Sequence, residues 1–347
     1  MSDSKRILAI DAGAGTQDIL LYESGKTVEN CVKMVLPSQT TIVAGRVRQA
    51  TARGEAVFLA GNLMGGGPCV SALKKHLRAG LAVYATPLAA KTIRDNPREV
   101  EALGVQIVDE APPEVLTIHT GDIDLAALSG ALALFDVELP QRYAIAVQDH
   151  GETLEGSQRR FRFQQWERFV EQGGRIVELA YLEVPPHLTR MKAVQTDVPG
   201  AMLMDTGSAA IWGALCDDAV AAHQEDGLIV VNVGNQHTIG FLLRGERVWG
   251  LFEHHTVLMS PDKLAAYVDS LREGTLTNDE VYGDNGHGAY VHPDYPGDGS
   301  FRFVAVTGPN RGMAAGLGYY MAAPHGDMMM TGAFGLVAAA RRLGLVE

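Results

Sequence analysis

Asp11, Gly13, Gly15 and Thr16 fall within six residues of one another, between two apolar runs, in ILAIDAGAGTQDILLY. A turn with two glycines bares backbone N–H groups without Cβ obstruction, and the Thr16 hydroxyl adds a further donor. That is the donor set an anionic phosphate oxygen needs. Asp11, ending the leading run, is placed to hold Mg²⁺ through its water shell beside such phosphates. The arrangement returns in LIVVNVGNQHTIGFLL, where Asn232 and Gly234 follow Asp11 and Gly13 at one offset of 221 residues. The repeat implies two related half-molecules, each offering a glycine hairpin to one side of a phosphate chain.

Two commoner phosphate motifs are excluded. A dinucleotide fingerprint needs a third glycine and a helix after the turn. Here Asp18 stands where that glycine belongs, and the β-prone run Ile19, Leu20, Leu21, Tyr22 follows. GNLMGGGP imitates a P-loop, but Gly67 and Pro68 stand where Lys and Ser or Thr are required. An anion could still meet the N–H groups at the start of the helix that follows.

Further carboxylates come just past the ends of expected strands, where ligands gather in open α/β sheets. Asp149 in QDHG is the preferred group for orienting or deprotonating an attacking oxygen, with a turn-fixing role as its open alternative. Asp122 and Asp124 in TGDID read first as helix caps and second as substrate contacts. In GDNGHGA, glycines permit close approach, so Asp284, Asn285 and His287 are either substrate contacts or parts of a plain turn. His237, His254, His255, His287 and His292 show no HxxxH or HxH spacing, and adjacent His254 and His255 on a strand face opposite ways. They read as solvated or hydrogen-bonded, which leaves Asp11 as the sole expected metal contact. Arg159, Arg160 and Arg162 read as a solvated face, and Met328 to Met330 as buried strand residues.

Three cysteines, Cys31, Cys69 and Cys216, lie far apart without CxxC or CxxxCxxC spacing, which argues against a zinc or iron–sulfur site built within the chain. They read as buried reduced thiols. Cys69 stands out, since a helix first turn lowers a thiol pKa.

The elements that must position these groups follow from pattern. The chain has 347 residues, 46% hydrophobic and 20% charged, enough for two domains each with its own core. A formal net charge of −12 argues against nucleic-acid or anionic-membrane partners. The start MSDSKRILAID has no apolar stretch like that of a signal peptide, so a cytoplasmic protein is expected. After the first hairpin, strands are expected near 57–60, 115–119 and 143–147, a strand-helix unit around 81–94, and helices at 68–78 and 125–135. This alternation signals an α/β sheet with covering helices. Residues 152–199 read as a less regular, aromatic- and arginine-rich insert, helical or substrate-facing. A small-residue helix is expected at 208–216, a helix at 261–272, a polar loop at 281–300 and a strand at 301–306. Expected domain limits are 1–200 and 201–347.

The order of Asp-Gly hairpin, strand-helix units, second Gly hairpin and late strand-Gly turns resembles the actin, Hsp70 and sugar kinase ATPase superfamily. The resemblance implies two duplicated ribonuclease H-like α/β domains flanking an ATP cleft, with ATP and Mg²⁺ as cofactors. Carried over by position, Asp11, Gly13, Gly15 and Thr16 match the first phosphate motif, and Asn232, Gly234 and Thr238 the second. Gly308 falls in the adenosine motif, and Gly332 with Ala333 in the closing strand-to-helix turn. Two departures are visible. Asn232 replaces the family's usual Asp, and VAVTGPNRG replaces its paired glycines. FEHHT and GDNGHGA also look like a family labelled pyruvate formate-lyase activating protein. That label implies a radical enzyme with a CxxxCxxC cluster, which this sequence lacks. The superfamily resemblance implies a small-metabolite kinase or an ATPase, whose partner is a phosphate acceptor or a second protein, with a homodimer among the expected assemblies. Its alternatives are an ATP-driven activator of a partner enzyme, resembling the activases of 2-hydroxyacyl-CoA dehydratases, and a non-catalytic nucleotide-gated binding module.

Overall fold

Runs of apolar residues set the first hairpin: Arg6–Ala12 (β1) and Thr16–Glu23 (β2) pair antiparallel, placing Asp11 opposite Asp18. Val32–Pro37 (β3) continues the ladder. The computed structural model describes residues 5–154 and 156–347. The chain next leaves this sheet and builds a small all-parallel one from Val57–Gly61 (β4), Val83–Ala85 (β5), Val105–Ile107 (β6) and Leu116–Thr120 (β7), ordered β6-β5-β4-β7. Tyr143–Val147 (β8) and Met202–Met204 (β9) return to the first sheet, parallel to β1 and to each other. Its order is β3-β2-β1-β8-β9, so this sheet runs past residue 200.

The second half repeats the plan. Leu228–Val233 (β10), His237–Arg244 (β11) and Arg247–His255 (β12) form the antiparallel meander, and Gly288–Val291 (β13) extends it. Phe303–Thr307 (β14) and Tyr320–Met321 (β15) add in parallel beside β10, giving β13-β12-β11-β10-β14-β15. In both sheets the hairpin's leading strand lies between its antiparallel partner and a parallel strand. This ribonuclease H-like order, present twice, makes the protein a duplicated α/β structure. Strands near-continuously buried, such as Leu228–Val233, explain the apolar runs, because helices or loops cover both faces.

Two helices cross between the sheets, Thr206–Ala214 and Thr331–Arg342. Their closest approach needs glycine. A β-carbon on Gly335 would overlap the Ala209 carbonyl, and one on Gly213 would overlap that of Thr331. Each helix opens with Thr-Gly, Thr206-Gly207 and Thr331-Gly332, a second trace of duplication.

The 152–199 insert holds the helices Gln158–Glu171 and Thr189–Asp197, one of its two expected readings. Two other sequence expectations change. The expected loop 281–300 contains the end of helix Asn278–Gly283 and all of β13. Met328–Met330 is a 3₁₀ turn leading into the last helix instead of a strand, with Met330 buried and Met329 at the cleft.

Candidate functional site

The two glycine turns open onto one cleft, a cavity of about 730 Å³ lined from both sheets. They close identically, with Gly13 N–H donating to the Thr16 carbonyl and Gly234 N–H to that of His237, both at 2.9 Å. The tips lie against each other, since a β-carbon on Gly15 would sit 3.1 Å from Asn235 Nδ2. Among the described residues, the amides of Ala14 and Gly15, and of Asn235 and Gln236, donate no hydrogen bond. Beyond them lie the glycines Gly65 to Gly67, ahead of helix Pro68–Arg78.

Asp11 forms the floor of the first turn. Its Oδ1 is buried without a partner, and Gly332 opens the last helix directly over it, where any β-carbon would overlap the carboxylate. Burial, then the neighbouring Asp18 and Asp205, raises the Asp11 pKa well above the ordinary carboxylate value. Asp18 lines the same cleft with an unpartnered Oδ1, and burial lifts its pKa to about 7. Two buried carboxylates paired across adjacent strands are an arrangement that a divalent cation relieves. Gly308, at φ +95°, packs over Asn232 in the second half, and Ala333 is buried behind Gly332.

Other expected site residues are placed differently. Asp149 borders the cleft, but its Oδ1 accepts from Gly151 N–H at 2.8 Å and its Oδ2 from Met191 N–H at 2.9 Å. Each oxygen accepts one backbone N–H, so Asp149 fixes this turn, the alternative role the sequence offered for it. Asp122 is no cap. It binds Arg190 in bidentate fashion at 2.6 and 3.0 Å and so steadies a guanidinium that lines the cleft. Asp124 does cap helix Leu125–Ala133. Thr238 is fully buried and bonds Thr256 at 3.0 Å, away from the cleft lining. Asp284 is engaged with Lys263, His254 and Tyr267 on the far side of β12, and Asn285 occupies a left-handed turn at φ 65°. Neither lines the cleft. Cys69 does sit in a helix first turn, but it is fully buried, and desolvation pushes its thiol up to about 12.

Sequence spacing missed two features. The first is Arg162, which points inward, unlike Arg159 and Arg160 over the Tyr282 ring. Its Nε donates to Glu253 at 2.6 Å, and Nη1 donates to Asp205 at 3.0 Å and to the Asp149 carbonyl at 2.6 Å. Phe163, Trp166 and Val170 share its buried face, a helical stripe that signals which arginine turns in. The second is a histidine cluster. Donor atoms of His150, His237, Glu253 and His287 lie within 4.8 Å of one another, and the His255 ring is 4.7 Å from that of His287. His150 follows β8, whereas His237, Glu253 and His287 belong to β11, β12 and the entry to β13. Four separated segments leave no linear motif; of the histidines read as solvated or hydrogen-bonded, His254 and His292 are hydrogen-bonded, whereas His237 and His287 each bury an unpartnered nitrogen. Burial lowers the pKa of His150 well below the ordinary value, that of His237 to about 4 and that of His287 to about 3, so the rings are neutral. Burial alone would raise Glu253, but the Arg162 guanidinium bonded to it overcomes this and holds its carboxyl well below the ordinary carboxylate range.

The sequence profile of the family described as "Putative pyruvate format-lyase activating enzyme (DUF1786)" matches residues 64–313. The chain belongs to this family. The radical chemistry its description implies does not suit these residues, because Cys31 and Cys69 are buried and Cys216 partly buried, Cys69 lies in a different core from the other two, and no CxxxCxxC set exists. No curated protein matches the sequence. Among solved structures, the chain is similar to a Bacteroides thetaiotaomicron protein with an actin-like ATPase fold and unknown function, at 7% identity, 96% coverage of each chain and TM-score 0.37. It is also similar to the apo pSK41 ParM protein, at 11% identity, 98% coverage of each and TM-score 0.36. A third is a ROK family glucokinase from Streptomyces griseus in complex with glucose and AMPPNP, at 12% identity, 97% and 98% coverage and TM-score 0.32. The fold is defined by the strand order repeated in both sheets. No helix among the described residues is long and apolar enough to cross a membrane.

Proposed function

We propose that the cleft binds Mg²⁺ and a nucleoside triphosphate, ATP, and that the protein is a phosphotransferase or ATPase. The observation that carries this reading is the opposition of two identically closed glycine turns whose tip amides share one cavity with the unpartnered Oδ1 of Asp11. Tip amides suit phosphate oxygens, as in other backbone nests. Asp11 would hold the ion, with Asp18 beside it, and the ion would supply charge neutralisation at the transferring phosphoryl group. Phosphoryl transfer needs mainly positioning and electrostatic stabilisation, and Arg190, fixed by Asp122, presents a cation to the same space. The acceptor is a small molecule or a group on a partner protein entering beside the small parallel sheet.

Equilibrium binding of a fluorescent ATP analogue with and without Mg²⁺, paired with phosphate-release assays, tests the reading. Mg²⁺-dependent binding that weakens in Asp11→Asn supports it. Absence of binding by the folded wild-type chain overturns it.

A further inference from the structure

A buried polar atom without a partner is costly, yet three occur on the rings of one cluster. His150 Nε2, His237 Nδ1 and His287 Nδ1 are buried without hydrogen-bond partners. His287 is 1% exposed. These rings belong to the same four-residue set whose donors, with a Glu253 oxygen, lie within 4.8 Å of one another. Glu253 is held for this task. Its Oε2 is fixed by Arg162 at 2.6 Å, while Oε1 faces His237 Nδ1 at 3.5 Å and accepts from Gln148 at 3.2 Å. Arg162 is in turn oriented by Asp205, so the carboxylate has the outer-shell support characteristic of a metal ligand.

We infer that His150, His237, Glu253 and His287 form a site for a first-row divalent transition metal of the zinc class. Neutral imidazoles with one carboxylate suit such ions and disfavour Mg²⁺ and Ca²⁺, which take oxygen ligands. A tetrahedral zinc shell with bonds near 2.0–2.1 Å sets its donors about 3.4 Å apart, so binding draws the rings inward by a small movement. The ion takes one nitrogen from each of the three rings that carry an unpartnered atom. It also ties His150, at the end of the first sheet, to three ligands on the second, stapling the two halves at one end of the cleft. His150, His237 and Glu253 line the cleft, so the ion faces whatever occupies that end. The inference does not depend on nucleotide binding.

The test strips the full chain with EDTA and titrates it with Co²⁺, then Zn²⁺, with Mg²⁺ in excess throughout. The expected result is one equivalent of Co²⁺ with visible d–d absorption, displaced by Zn²⁺ and not by Mg²⁺, with a higher melting temperature for the loaded protein. His287→Gln and His150→Gln should each weaken uptake about a hundredfold or more. Asp11→Asn should keep the Co²⁺ equivalent, which separates this site from the proposed magnesium site. No Co²⁺ uptake by the wild type, displacement by Mg²⁺, or full retention in folded histidine variants would overturn the inference. Should those variants not fold, X-ray absorption at the zinc edge of the wild type decides: a nitrogen-rich shell supports the site, and an all-oxygen shell overturns it.

Discussion

The two hairpins share a backbone and differ in chemistry. At the common offset, Asp11 becomes Asn232, Thr16 becomes His237 and Asp18 becomes Ile239. The first turn thus presents only oxygen donors to the cleft, the set a hard cation such as Mg²⁺ requires. The second has given up both carboxylates and contributes an imidazole to a nitrogen-rich cluster shared with β8, β12 and β13. Duplication preserved the glycine turn and its closing hydrogen bond, while the side chains around it diverged. Similar backbone therefore does not imply similar ion chemistry, and each turn must be read from the donors it carries.

The link between the two regions is Arg162, buried between Asp205 and Glu253. Arg162→Met leaves two buried carboxylates uncompensated and should cost about 3–5 kcal/mol of stability, measured by urea denaturation. A loss under about 1 kcal/mol would mean that the two halves are not joined through this arginine. Asp11→Asn should lower Mg²⁺-dependent turnover about a hundredfold, equivalent to about 2.7 kcal/mol of transition-state stabilisation. Asn232→Asp, which restores the first turn's pattern in the second, should change turnover far less. Equal effects of the two substitutions in a steady-state assay would erase the proposed asymmetry. Thr238→Val removes only the hydroxyl contact with Thr256 and should cost about 0.5–1.5 kcal/mol, with nucleotide affinity unchanged by titration. A loss of affinity would return Thr238 to the cleft.

Much of this architecture was legible in the sequence, because strand alternation, the glycine turns and the helix starting at Pro68 are local signals. The duplicated hairpins gave the cleft and Asp11, and the Thr-Gly pairs at 206 and 331 carry a repeat that pattern reading passed over. What stayed hidden depends on tertiary approach. No spacing rule joins His150 to His287, and whether Asp149 is free or bonded to Met191 is set by a helix 42 residues away. Cys69 shows two local effects in competition. Its helix-start position lowers a thiol pKa, but complete burial wins. It should accordingly stay unlabelled by iodoacetamide in the native protein and react only after unfolding, as read by mass spectrometry. This is the smallest effect expected here, and rapid native labelling would show that the small sheet's core is open.

The most direct measurement of the central claim is a crystal structure grown with Mg²⁺ and a non-hydrolysable ATP analogue. The account predicts the triphosphate between the Ala14–Gly15 and Asn235–Gln236 tips, with the magnesium water shell on Asp11. An analogue bound elsewhere, or a triphosphate that leaves Asp11 and both tips untouched, would contradict it.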